Sequence, residues 1–199
     1  MKKRLLVLLI VLGIPIGVGA FWVLQPKTAP NLNEYQNEEF GYSFQYPGTC
    51  TFGPMPGECK QNPPEEMPQE CICFLNAENP SNVFLQTFQD DGQNLTLSSL
   101  TITHREAAAF NPPPEVELAS WLKDNFSELY SNIPEKPNGE LGGEPSVEIT
   151  MPPTPSAYSY QDVFVLKEGK ILVVRMLNPT NKGNRALYDQ ILSSFSWQE

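Results

Sequence analysis

The chain has 199 residues, of which 20 are proline, 4 cysteine and 1 histidine, and it carries a formal net charge of -10. That length holds one ordinary domain and an appendage, not two large domains. The acidic excess excludes nucleic-acid binding through phosphate contacts, which takes a surplus of Lys and Arg; abundant proline with only 18% charged residues points to ordered loops rather than a charge-driven disordered chain.

Lys2, Lys3 and Arg4 precede an uncharged run of 20 residues from Leu5 to Leu24. A helix of that length rises about 30 Å, the thickness of a bilayer's hydrocarbon core. Basic residues at one end and Trp22 near the other predict that residues 1–24 are a transmembrane anchor with a cytoplasmic N-terminus. The alternative is a cleaved signal peptide, because Pro15 and Gly17 interrupt the helix and Val18-Gly19-Ala20 has the small residues of a cleavage site. Both readings export the chain beyond Gln25: a membrane-anchored extracytoplasmic domain in the cell envelope, or a secreted one after cleavage. With no cysteine before Cys50, a lipid-modified N-terminal cysteine is not expected. The first 24 residues hold 3 of the 13 basic residues and none of the 23 acidic ones, so the exported part carries -13 and repels anionic lipid and nucleic acid.

Residues 25–38 are polar and punctuated by Pro26 and Pro30, which predicts a stalk; residues 39–199 form the domain. In Phe40-Gly41-Tyr42-Ser43-Phe44-Gln45-Tyr46, four aromatics alternate with small or polar residues, the pattern of a strand with one buried face. Pro47-Gly48 ends it. Thr49 to Glu70 holds five prolines, four glutamates and two cysteines, and reads as a long loop. Three short strands come next at Cys71–Leu75, Val83–Gln89 and Leu97–His104, the last two joined by a turn at Asp90-Asp91-Gly92. Glu115 to Tyr130 places Leu118, Trp121, Leu122, Phe126 and Leu129 at helical spacing, with acidic residues at the helix start. Val147, Ile149 and Met151 alternate within a strand over Pro145–Met151. Val163–Leu166 and Ile171–Leu177, two apolar runs around Lys167-Glu168-Gly169-Lys170, form the clearest hairpin. Asn184 to Phe195 puts Leu187, Tyr188, Ile191, Leu192 and Phe195 on one helical face, with Asn184 as the N-cap. About six or seven strands and two main helices without regular alternation predict an α+β domain on an antiparallel sheet.

Four cysteines in an exported domain predict disulfides. Cys71 and Cys73, two apart on a strand, point to one face and do not readily bridge each other, so each takes a partner from Cys50 and Cys59. The nested pairing, Cys50 with Cys73 and Cys59 with Cys71, closes the loop like a hairpin and is favoured over the crossed one, Cys50 with Cys71 and Cys59 with Cys73. A tetrathiolate zinc site is the rival, disfavoured by the Cys-x-Cys spacing and by export. His104 is the sole histidine, so any histidine-dependent hydrolysis runs through it; no nucleophile elbow, zinc-protease motif or phosphate-cradling glycine loop accompanies it. Asp90, Asp91, Glu65, Glu66 and Glu70 lack the ligand spacing of a calcium loop. Asn94-Leu95-Thr96 and Asn125-Phe126-Ser127 fit the glycosylation pattern, which chance explains as well.

Glu39 to Pro47, Val163 to Ile171 and Ile191-Leu192-Ser193-Ser194-Phe195 resemble the opening strand, the late hairpin and the closing helix of PsbP-like domains, over roughly residues 35–197. The resemblance implies the Mog1/PsbP α/β/α sandwich and a role in binding: that fold includes an extrinsic photosystem subunit and a partner of a small GTPase, and has no shared catalytic signature. No partner-contacting residues carry over, and the cysteine-bearing loop from Thr49 to Cys73 departs from the family pattern. The sequence therefore predicts a membrane-tethered, non-catalytic binding or assembly module with a protein partner, reached through the exposed loop from Pro54 to Pro68. No catalytic or metal site, cofactor, nucleic acid or small-molecule substrate is expected. The alternatives are a hydrolase using His104 and a purely structural envelope protein.

Overall fold

Two tight turns, at 168–169 and 142–143, set the pairing of the strands they join. The computed structural model describes residues 31–53, 73–90, 95–105, 117–155 and 157–198, with backbone alone at 88–90, 95–98 and 104–105. The strands are β1 (Leu32–Asn37), β2 (Tyr42–Pro47), β3 (Thr51–Phe52), β4 (Cys73–Asn76), β5 (Asn82–Asp90), β6 (Leu95–Arg105), β7 (Gly139–Leu141), β8 (Glu144–Met151), β9 (Tyr160–Lys167), β10 (Lys170–Leu177) and β11 (Ser196–Trp197). Two helices are described, α1 (Leu118–Phe126) and α2 (Lys182–Ser194). The fold is α+β. An eight-stranded sheet runs β3-β4-β5-β6-β10-β9-β8-β7, antiparallel except at β3–β4, and a three-stranded sheet runs β1-β2-β11.

Glu168 and Gly169 both take positive φ, 52° and 76°, between the paired Lys167 and Lys170. Such a two-residue turn matches the right-handed twist of the strands it joins. It locks a register in which Leu172 and Val174 of β10 lie beside Val165 and Val163 of β9, while Ile171 and Val173 lie beside Leu166 and Phe164. The first set enters a core with Tyr42, Phe44, Leu187, Tyr188, Ile191 and Phe195; the second packs with Leu118, Trp121 and Leu122 of α1. One face of the principal sheet thus meets α1, and the other meets α2 and the three-stranded sheet.

The strand count exceeds the expected six or seven. β3, β7 and β11, two or three residues each, are too short to show a period. β1 lies within the stretch expected to be a stalk: Leu32–Asn37 pairs along its length with β2 and takes part in the fold. Its side chains are mostly polar, and backbone pairing with the aromatic β2 recruits it. Tyr42, Phe44 and Tyr46 are buried as their alternation implies. Helix α1 is shorter than the expected 115–130, because a turn after Phe126 takes the chain back to the sheet. The N-cap of α2 is Asn181, not Asn184: the Asn181 side-chain oxygen accepts from the Gly183 and Asn184 amides. Asn184 is wholly buried inside the first turn and donates to the Asn178 carbonyl. Among the described residues no helix is long and apolar enough to cross a membrane; the expected anchor at 1–24 lies outside them.

At the far sheet edge, Gly142 and Gly143 take φ of 59° and 85° in the β7–β8 turn. A Cβ on Gly142 would lie 2.9 Å from Trp197, whose indole N–H donates to the Leu141 carbonyl at 3.1 Å. Trp197 and Phe195, with ring centroids 5.2 Å apart, join the last described strand to Tyr42 of β2.

Burial is the leading cause that raises the phenols of Tyr42 and Tyr188 above the ordinary value of 10.0. A pKa higher in the folded than in the unfolded chain favours the neutral phenol on folding. Its stabilisation is therefore intact below pH 10 and lost as pH rises above it. Alkaline titration followed by phenolate absorbance and circular dichroism is expected to show these two tyrosines ionising together with unfolding, not before it.

Candidate functional site

Counting back from the turn at 168–169, Asp162 falls directly opposite Arg175, and Thr101 of β6 lies directly opposite Arg175 on its other side. Residues opposite one another share a sheet face, so the three line up on the α1 side. Asp162 has no exposed surface. Its carboxylate accepts from Arg175 Nε at 2.7 Å and from Arg175 Nη2 at 2.7 Å, a bidentate pair. The Tyr130 hydroxyl donates to the same carboxylate at 2.5 Å and accepts from Arg175 Nη2 at 3.3 Å. The guanidinium lies over the Tyr160 ring, 4.5 Å from its centroid, and the Arg175 side chain stays 46% exposed. The pair is thus buried at its negative end and open at its positive end.

The turn after α1 completes the arrangement. The amides of Leu129 and Tyr130 both donate to the Phe126 carbonyl at 2.9 Å, reversing the chain. Tyr130 drops onto Phe164, edge to face at 5.7 Å, while Leu129 turns outward and is 64% exposed. Between α1 and the sheet lies an open cleft of about 460 Å³, walled by Trp121, Phe126, Leu129, Tyr160 and Val173 and bordered by Thr101, Thr103 and Arg175. Small-molecule sites typically occupy about 300–1,000 Å³ and combine apolar walls with a few placed polar groups.

Burial, the hydrogen bond to Asp162 and the Asp162 charge raise the Tyr130 phenol above its ordinary range, against the opposing effect of the Arg175 charge. Hydrogen bonding to Asp162 holds Arg175 still more firmly protonated, and burial works the other way. A smaller hollow of about 250 Å³ lies between Phe40, Lys170 and Trp197. There Lys167 is already engaged, 3.0 Å from Glu144 and 5.0 Å from the Trp197 ring centroid.

Cys50 and Cys73 are joined in a disulfide and both are buried. The bridge ties the chain where it leaves β2 to β4 of the principal sheet. Cys59 and Cys71 lie outside the described residues, as do Glu65, Glu66, Glu70, Asp91, Asn94 and the loop 54–68. His104 occupies β6 opposite Leu172, its side chain beyond the described part, and the same holds for Asp90, opposite Leu95. Asn125 lies in α1 with its side-chain amide donating to the Trp121 carbonyl at 2.9 Å. Among the described residues no group of three His, Cys, Asp or Glu is placed to hold a metal.

None of the cleft's polar residues stood out as a candidate in the sequence. The signal was present: Arg175 interrupts the run Ile171-Leu172-Val173-Val174, and turn counting pairs it with Asp162. The walls carried no such signal, because Trp121 and Phe126 read as ordinary core positions of a helix. No protein-family profile matches the chain, and no curated protein matches it.

Arg175→Ala would leave the enclosed Asp162 charge without its cation, and is expected to cost about 3 kcal/mol in denaturant unfolding. Asp162→Asn, which leaves an Arg that reaches water, is expected to cost less. The reverse order would contradict the pair's geometry. With Cys50 bonded to Cys73, peptide mapping without reduction is expected to find Cys59 joined to Cys71. The Cys50–Cys73 bridge closes a separation of 23 residues. Replacing both of its cysteines by serine is expected to lower stability by about 3 kcal/mol.

Proposed function

We propose that the protein is an extracytoplasmic binding or assembly module of the PsbP-like kind, tethered to the membrane through residues 1–24 and working without catalytic turnover. The observation that carries this reading is the cleft: aromatic walls around one guanidinium that a buried carboxylate holds in place. A donor fixed in advance loses little freedom when it meets a ligand, so such a site favours recognition. Its ionisable groups favour binding over chemistry. Tyr130 and Arg175 are both held protonated, whereas a general acid or base works best with a pKa near the operating pH. A helix on each face of the principal sheet supports the α/β/α sandwich of that family. The uncharged run 5–24 supports the anchor, and the charge of -13 beyond it supports a domain that stays clear of anionic headgroups.

The test places a photo-crosslinking side chain at position 129, and separately within the loop 54–68, of the full chain in its native membrane. A discrete adduct at position 129 is the expected result. Adducts only from the loop would move the contact surface away from the cleft, and none at either position would reject a binding role. Protease added to sealed cells is expected to digest residues 39–199; protection of that domain would reject the extracytoplasmic placement.

A further inference from the structure

We propose that the cleft binds a small amphiphile: an apolar ring or short-chain body ending in a single carboxylate. This rests on the binding reading above and names the ligand class. Arg175 has five N–H donors. Nε and Nη2 serve Asp162 and the Tyr130 oxygen, and Nη1 makes no hydrogen bond among the described residues. The half-exposed guanidinium therefore offers one free end to the opening, with its orientation already set.

Thr101, opposite Arg175 on β6, brings a hydroxyl to the same border of the cleft. One guanidinium end and a neighbouring hydroxyl suit a compact monoanion. Among the described residues lining the cleft a polyanion finds no second cation, and it meets a chain of strongly negative net charge. Trp121, Phe126 and Leu129 supply the apolar wall on which the body of the ligand would lie. As a device for strand register alone, the ion pair needs no open aromatic cleft above it. The ligand is held, not transformed.

The experiment uses the full chain in nanodiscs of zwitterionic lipid. The probes are 3-phenylpropionate, its neutral match 3-phenylpropanamide, and inorganic phosphate as an anion without an apolar body. A charge-assisted hydrogen bond is worth enough that the acid is expected to bind roughly tenfold or more tightly than the amide, and phosphate more weakly than the acid. Leu129→Glu sets a negative charge at an exposed lip position without entering the core. Both probes lose the apolar contact of Leu129, and the added negative charge is expected to weaken the acid roughly tenfold more than the amide, while Leu129→Lys weakens the acid no more than the amide. The double variant Asp162→Asn, Arg175→Gln replaces the ion pair by neutral amides and is expected to abolish the preference for the acid. Equal binding of acid and amide, indifference to the sign of charge at position 129, or no binding of either probe at millimolar concentration would overturn the proposal. A crosslinked partner at position 129 together with such a result would leave the binding module standing and remove only this ligand class.

Discussion

The register of the β9–β10 hairpin is the constraint on which the other features hang. Successive strand residues point to opposite faces, so a slip of one position exchanges the two faces. Here it would carry Arg175 out of the α1 side and into the core that holds Tyr42, Tyr188 and Ile191, away from its carboxylate. It would also send Leu172, Val174 and Met176 toward α1. The turn at Glu168 and Gly169, with both residues at positive φ, prevents the slip locally. The Asp162–Arg175 pair reinforces it at the other end of the ladder, because a buried carboxylate without its cation is strongly unfavourable. Core sorting and site formation are therefore one event.

The cleft exists because α1 is short. The helix ends at Phe126, and the turn beyond it brings Tyr130 to the sheet while leaving Leu129 outward. The opening lies between a helix and a sheet that are both anchored by buried residues, so its guanidinium rests on strands rather than on a loop. Side chains held on regular elements keep their geometry better than those on loops. The charge is thereby fixed beside an apolar wall.

A second set of contacts joins the chain's distant parts. β1 and β2, β11 and the β7–β8 turn meet around Tyr42, Phe195 and Trp197. The Cys50–Cys73 bridge adds a covalent tie between the chain leaving this region and the first strands of the principal sheet. Among the described residues most prolines lie in the connections between strands and helices, and the packed core is built mainly from aromatic and branched aliphatic residues.

Local patterning was enough to read the alternation at 40–46, the hairpin at 163–177, the apolar face of α2 and the α+β class, because each of these depends on spacing between near neighbours. The pairing of Asp162 with Arg175 was within reach of the same arithmetic once the turn was placed. Neither β1 nor the short strands β3, β7 and β11 could be found that way: their pairing depends on partners distant in sequence or on backbone hydrogen bonds that leave no mark in the side chains. The choice of Asn181 over Asn184 as the N-cap followed from burial, since Asn184 is enclosed and bonded to the Asn178 carbonyl. The cleft depended on assembly most of all. Trp121, Phe126, Tyr160 and Arg175 come from three elements, and they surround one opening only after the hairpin register, the end of α1 and the return of Tyr130 to the sheet have brought them together.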